Sequence, residues 1–135
     1  MSEINISHLP EEYSELRSIV REFANEVVDP VSYKHDKEHS FPYEVVAQMG
    51  EMGLFGLPIP EEYGGMGGDY LLLGLALEEL GRVDQSVAIT LEAAVSLGEM
   101  PILRFGTEEQ KQRWLPKLAS GEWLAAIAMN EPGAG

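Results

Sequence analysis

With 135 residues, 44% of them hydrophobic and 24% charged, the chain has the composition of an ordinary globular protein and the length for one domain with a real core. A formal net charge of -14 argues against nucleic acid and anionic membrane surfaces, which require clustered Lys and Arg, and the nine basic residues are scattered. The lack of cysteine excludes disulfides, thiolate nucleophiles and sulfur-ligated metals, so redox chemistry needs a cofactor. The opening MSEINISHLPEEY is acidic and has no basic n-region followed by an apolar core, which is unlike a signal peptide. The apolar runs Leu71 to Leu77 and Val87 to Leu91 are stopped by Glu78 and Glu92, short of the roughly 20 residues that cross a bilayer. The expectation is a cytoplasmic protein with no membrane partner.

Taken in order, Pro10 suits a first helical turn, and Glu11 and Glu12 suit the positive end of the helix dipole. Leu9, Tyr13, Leu16, Val20, Phe23 and Val27 recur at three and four, predicting an amphipathic helix that Asp29-Pro30 ends. Residues 31 to 40, VSYKHDKEHS, read as a polar connector; His35 and His39 are spaced as two ligands on a helix face, but no further ligand accompanies them. No metal is expected. Pro42 opens a second helix with Val45, Val46, Met49 and Met52 on one face, and Gly53 stands where a left-handed cap belongs. The stretch LFGLPIPEEYGGMGG, 54 to 68, holds two prolines and five glycines without a phosphate-binding spacing, so tight chain reversal is its predicted role.

Asp69 can cap a third helix to about Leu80, with Leu72, Leu73, Ala76, Leu77 and Leu80 inward. Glu78 and Glu79 are adjacent, so they diverge by about 100 degrees on a helix and cannot share one reacting atom; both are expected in solvent. Asp84 caps a fourth helix, 84 to 97, apolar nearly all round except at Gln85, Glu92 and Ser96, which marks it as central. Gly106 ends what precedes it. Thr107 and Gln110 then form a capping box for a helix whose apolar face is Trp114, Leu115 and Leu118. Pro116 should end or bend it near Leu115. After Ser120-Gly121, residues Trp123 to Asn130 read as a short strand, and Glu131-Pro132-Gly133-Ala134-Gly135 as a loop that lets backbone NH groups approach a ligand. The predicted architecture is all-α, an orthogonal or up-down bundle of about five to six helices ending in a short β-strand, with residues 1–121 as the helical domain and 122–135 as the first strand and turn of a β-domain.

The run FGTEEQKQRWLPKLASGEWLAAIAMNEPGAG, together with Pro60-Glu61-Glu62-Tyr63-Gly64-Gly65 and Leu97-Gly98 upstream, closely resembles the acyl-CoA dehydrogenases. Several such blocks in order cover nearly the whole chain. The resemblance implies the amino-terminal helical domain of an FAD-dependent enzyme that oxidises an acyl-CoA to the 2,3-enoyl-CoA, truncated from a longer polypeptide. It sets Ile89, Thr90, Ala93, Ala94 and Leu97 at positions that line the acyl-chain pocket, and the small alanines would leave volume there. It also sets Ile127, Met129 and Asn130 at the pyrimidine edge of the flavin, where Asn130 replaces the usual Thr or Ser.

The resemblance further implies an electron-transfer flavoprotein-like acceptor and a homo-oligomer when full length. No catalytic residue is expected here: in the family the glutamate base comes from a carboxy-terminal helical domain, and Glu131 belongs to the turn. These residues alone are therefore expected to be inactive and not to retain FAD. Acyl-CoA oxidases and flavin monooxygenase relatives share the same domain. A rival of another class is a stand-alone helical interaction module, whose exposed strand would invite pairing.

Overall fold

The computed structural model describes residues 9–134; the readings of the opening residues 1–8 and of Gly135 lie outside the described residues. The bundle is built from α1 (Glu11–Phe23), α2 (Asp29–Glu38), α3 (Tyr43–Glu51), α4 (Tyr70–Gly81), α5 (Gln85–Glu92), α6 (Met100–Phe105) and α7 (Glu108–Ala119). Two π-helical segments, Ala24–Val28 and Ala93–Glu99, join α1 to α2 and α5 to α6, so the seven labels form five rods. Short 3-10 turns occupy Leu54–Gly56 and Glu61–Tyr63.

The caps follow the side-chain chemistry. Asp69 accepts from the backbone NH groups of Leu71 and Leu72, and Asp84 from those of Ser86 and Val87. Thr107 and Gln110 complete the reciprocal capping box. Each device satisfies NH groups that the first turn of a helix leaves without partners. Gly53 takes the left-handed conformation, with φ of 75°.

Both rods that run longer than expected do so across a proline. The first does not stop at Asp29-Pro30; it continues as α2 to Glu38, and residues 31 to 38 are helical instead of a connector. The end comes at His39, in the left-handed region with φ of 53°, while His35 Nδ1 bonds Ser40 Oγ at 2.8 Å. The second continues past Leu97 through Met100-Pro101 to Phe105. In each case a wide π turn immediately precedes the proline. The wider turn moves the carbonyl that the pyrrolidine ring would otherwise meet, and the missing NH is absorbed in the same register shift. Pro116 has no such turn, yet α7 runs through it to Ala119, because the buried Leu115, Leu118 and Ala119 hold the last turn against its neighbours.

Two cores result. The main one gathers Val20, Phe23, Ala24 and Val28 from the first rod, Val45, Val46 and Met49 from α3, Leu73, Ala76 and Leu80 from α4, and Val87, Ala88, Leu91, Ala94 and Val95 from the fourth. A smaller one gathers Ile59, Tyr63, Met100, Leu115 and Ala119. The rod Gln85–Phe105, 21 residues, is long and apolar enough to cross a membrane by length and composition, and among the described residues it is the one helix that contributes to both cores.

Glu79 is not in solvent. It is 1% exposed, on the face of α4 that packs on α1. Arg17 Nε donates to Oε1 at 2.7 Å, Arg21 donates through Nη2 and Nε at 2.7 and 2.9 Å, and Arg82 Nε reaches Oε2 at 3.4 Å. Glu78 stays exposed and pairs with Arg17 at 2.8 Å. Arg21 above all, and then Arg17 and Arg82, hold the Glu79 carboxyl down at about 2 against the opposing effect of burial.

Where α7 ends, the chain lies on other backbone. A methyl group added at Gly50 would come within 2.9 Å of the Ser120 carbonyl oxygen, and one added at Gly98 would collide with Ala125. Gly98 thus lets residues 122–126 cross the π segment at close range. Trp123 NH donates to the Lys117 carbonyl at 3.0 Å, and Lys117 Nζ stands 4.4 Å from the Trp123 ring centroid.

Two outcomes are expected. Glu79→Gln should cost about 2 kcal/mol near neutral pH, less than the full pKa displacement implies because Arg21 and Arg82 are half exposed. The carboxylate is depressed in the folded state, so its contribution is present above the unfolded value of about 4.3 and is lost as pH falls through about 2. Urea denaturation of the two proteins at several pH values should therefore show their difference shrinking only on the acid side. Gly98→Ala should cost about 1–3 kcal/mol by overpacking and shift Trp123 emission while far-ultraviolet dichroism stays helical.

Candidate functional site

Two surfaces meet where Ala125 lies on Gly98. The first is a stripe along α5 and the π segment. Ile89 is 51% exposed and Leu97 41%, with the half-buried Ala93 midway between them at helical spacing of four. Thr90 is beside the stripe, its hydroxyl turned back to donate to the Ser86 carbonyl at 2.8 Å. Ala94 does not join them. One residue turns the helix by about 100 degrees, and that carries Ala94 into the main core, where it is 2% exposed. Of the five residues expected to line a pocket, four are on or beside this open stripe and one packs the bundle.

The second surface is the segment that follows α7. Residues 124 to 130 form no strand: their backbone groups make no hydrogen bond with any other described residue. The expected β-strand is thus corrected to an irregular exposed segment. The physical reason is that a strand exists only as part of a ladder, and the described residues offer it no neighbouring strand. The one bridge nearby joins Glu131 and Ala134 within their own turn, through NH-to-carbonyl bonds of 3.3 and 3.1 Å. Ile127 is 47% exposed and Met129 81%, and Asn130 is exposed as well. Open apolar side chains are interspersed here with free donors and acceptors.

The stripe can take up methylene groups, and the segment can meet the edge of a flat polar molecule with alternating NH and carbonyl groups. Sequence reasoning missed two further features. Asp69 is more than a cap: its second oxygen accepts from Tyr13 Oη at 2.6 Å, closing one side of an open cleft of about 470 Å³ that Leu57, Met66 and Leu72 also line. That hydrogen bond, followed by those from Leu72 and Leu71, holds the Asp69 carboxyl below its ordinary value. The other is Glu99, fully buried without a partner. Tyr13 and Asp69 are 56 positions apart, and nothing local signals their pairing.

Known proteins resemble the chain over this whole layout. The family model described as acyl-CoA dehydrogenase, N-terminal domain, matches residues 10–122. The short-chain specific acyl-CoA dehydrogenase of Bos taurus mitochondria is 42% identical over 127 residues, which are 94% of this chain and 31% of that protein. Among solved structures, a chain described under an electron transferring flavoprotein of Acidaminococcus fermentans superposes with a TM-score of 0.89 at 44% identity, over 94% of this chain and 33% of that one. An acyl-CoA dehydrogenase of Bacillus anthracis complexed with FAD gives a TM-score of 0.87 at 38% identity, over 96% of this chain and 22% of that one. The chain spans about a third of the length of the curated relatives it matches. The family-model match over residues 10–122, with the shared helical bundle, shows that the chain belongs to the acyl-CoA dehydrogenase family, as the N-terminal domain.

Proposed function

We propose that these residues serve an FAD-dependent enzyme that removes two hydrogens from an acyl-CoA to give the 2-enoyl-CoA, and that they contribute binding surface while the catalytic base comes from another part of the polypeptide. The observation that carries this reading is the junction at Gly98, which sets an open apolar stripe beside a segment of unsatisfied backbone. The stripe, Ile89, Thr90, Ala93 and Leu97, forms one wall for the acyl chain, with Ala93 leaving room for it. Ala94 supports that wall from the core side.

The donor set of the segment fits a flavin. Its pyrimidine edge presents alternating carbonyl and NH groups, and backbone at Ile127 and Met129 with the Asn130 amide offers both partners. When bound, the flavin supplies a hydride acceptor. Donors fixed along its edge favour the charge that builds there, and an amide at Asn130 can donate where a hydroxyl would in relatives. The segment is free to meet it because nothing in the bundle competes for those groups. The relatives include a protein described with FAD and one described with an electron transferring flavoprotein, which supports FAD as cofactor and a flavoprotein as electron acceptor. Association of the complete enzyme with copies of itself belongs to the same reading.

Mixing the 135-residue chain with an acyl-CoA, FAD and an artificial electron acceptor should give no turnover above a control without protein. In a longer polypeptide carrying the same residues, Ala93→Phe should leave the bound-FAD absorbance intact and lower kcat/KM for long acyl chains by about fourfold per methylene displaced. Undiminished use of long chains by that variant would remove Ala93 from the wall.

A further inference from the structure

The layer in which the π segment meets α7 and the Leu54–Gly56 turn contains one side chain that the packing does not explain. Glu99, the last residue of the segment, is 1% exposed, and neither carboxyl oxygen has a hydrogen-bond partner. Its contrast with Glu79 is direct. Both are equally buried, but Glu79 has three guanidinium groups and Glu99 has none. An ionised carboxylate without partners in apolar surroundings is too costly for a fold of ordinary stability, so the group must keep its proton.

None of the charged groups on the neighbouring elements bonds or pairs with it. Arg104 of α6 donates to Tyr70 Oη at 2.8 Å. On α7, Glu108 accepts from Tyr63 Oη at 2.9 Å and Lys117 pairs with Glu122 at 3.3 Å. Lys111 and Arg113 of α7 form no ion pair with it, Glu92 of α5 and Glu109 of α7 are acids that could only oppose its ionisation, and the Leu54–Gly56 turn has no titratable side chain. Burial alone pushes the Glu99 carboxyl up to about 8. The same layer carries the chain's exit: Ala119 and Met100 share its small core, and Gly98, next to Glu99, is the residue on which Ala125 lies.

We propose that Glu99 is a protonation-controlled latch: as a neutral acid it completes the layer between the π segment and α7, and on losing its proton it admits water and loosens the seat of residues 119–126. That loosening would also shift residues 127–130 relative to a flavin edge, a consequence that rests on the function proposed above, whereas the pH response of the chain itself does not, so the two can fail separately.

The sign follows from linkage. A carboxyl raised in the folded state contributes stability that is full below its unfolded value of about 4.3 and is lost as pH rises through about 8. The test compares the chain with Glu99→Gln, which keeps the shape and cannot ionise. The folding equilibrium constant of the parent relative to the variant should fall by up to about tenfold per pH unit between these values. Amide exchange at the hydrogen-bonded residues 119–123 should accelerate with pH in the parent beyond its course in the variant. The infrared spectrum of the parent at neutral pH should hold a protonated carboxyl stretch that the variant lacks and that titrates away near the raised value. A pH-independent difference in stability, or identical exchange profiles, would overturn the latch. Should the variant fail to fold, the infrared titration of the parent decides, and a band lost in the ordinary carboxylate range refutes the proposal.

Discussion

Backbone resting on backbone is the constraint from which the rest of this structure follows. The end of α7 and the residues after it approach Gly50 and Gly98 more closely than any side chain would allow, so the direction in which the chain leaves the bundle is set by main-chain contact. Side chains can repack around a small error, but main chain has no rotamers with which to do so. The helices, their caps and the two cores hold these glycines and the end of α7 in register. The stripe from Ile89 to Leu97 and the segment from Leu124 to Asn130 are open because the bundle's own packing is satisfied elsewhere.

Electrostatics divides the two buried carboxylates among the described residues into opposite cases. Glu79 is surrounded by guanidinium groups from two helices and remains ionised, tying α1 to α4. Glu99 has no hydrogen-bond partner and keeps its proton. In a chain of net charge -14, with nine basic residues in all, three arginines on one carboxylate is a large commitment. It leaves few cations for any other buried acid, and Glu99 is the acid left without one.

Much of the fold was legible because its signals are local. Asp69, Asp84, Thr107 with Gln110, and Gly53 act within three or four residues of themselves, and each does what its spacing indicates. The apolar faces of α1 and α3 were equally plain. What failed was non-local. Pro30 reads as a stop unless the π turn before it is known, and that turn is fixed by packing of Ala24 and Val28 in the core. Glu79 reads as solvated because its partners Arg17 and Arg21 are about sixty positions away. Residues 124–130 have the composition of a strand but lack a ladder to join. At the site, the family resemblance names Ile89, Thr90, Ala93, Ala94 and Leu97 together, and only the orientation of the whole rod separates the buried Ala94 from the open stripe.

The wide turn at Ala93–Glu99 has a geometric effect on the rod that contains it. An α-helix advances about 100 degrees per residue, so one surplus residue in a turn rotates everything downstream by nearly a third of a revolution. Before the turn, Val87, Ala88 and Leu91 look into the main core; after it, Met100 looks into the other. A single straight cylinder of this sequence would keep one wet side and one dry side along its length. The rotation instead lets the dry side change azimuth partway, so one piece of secondary structure acts as a hub between two separately packed compartments.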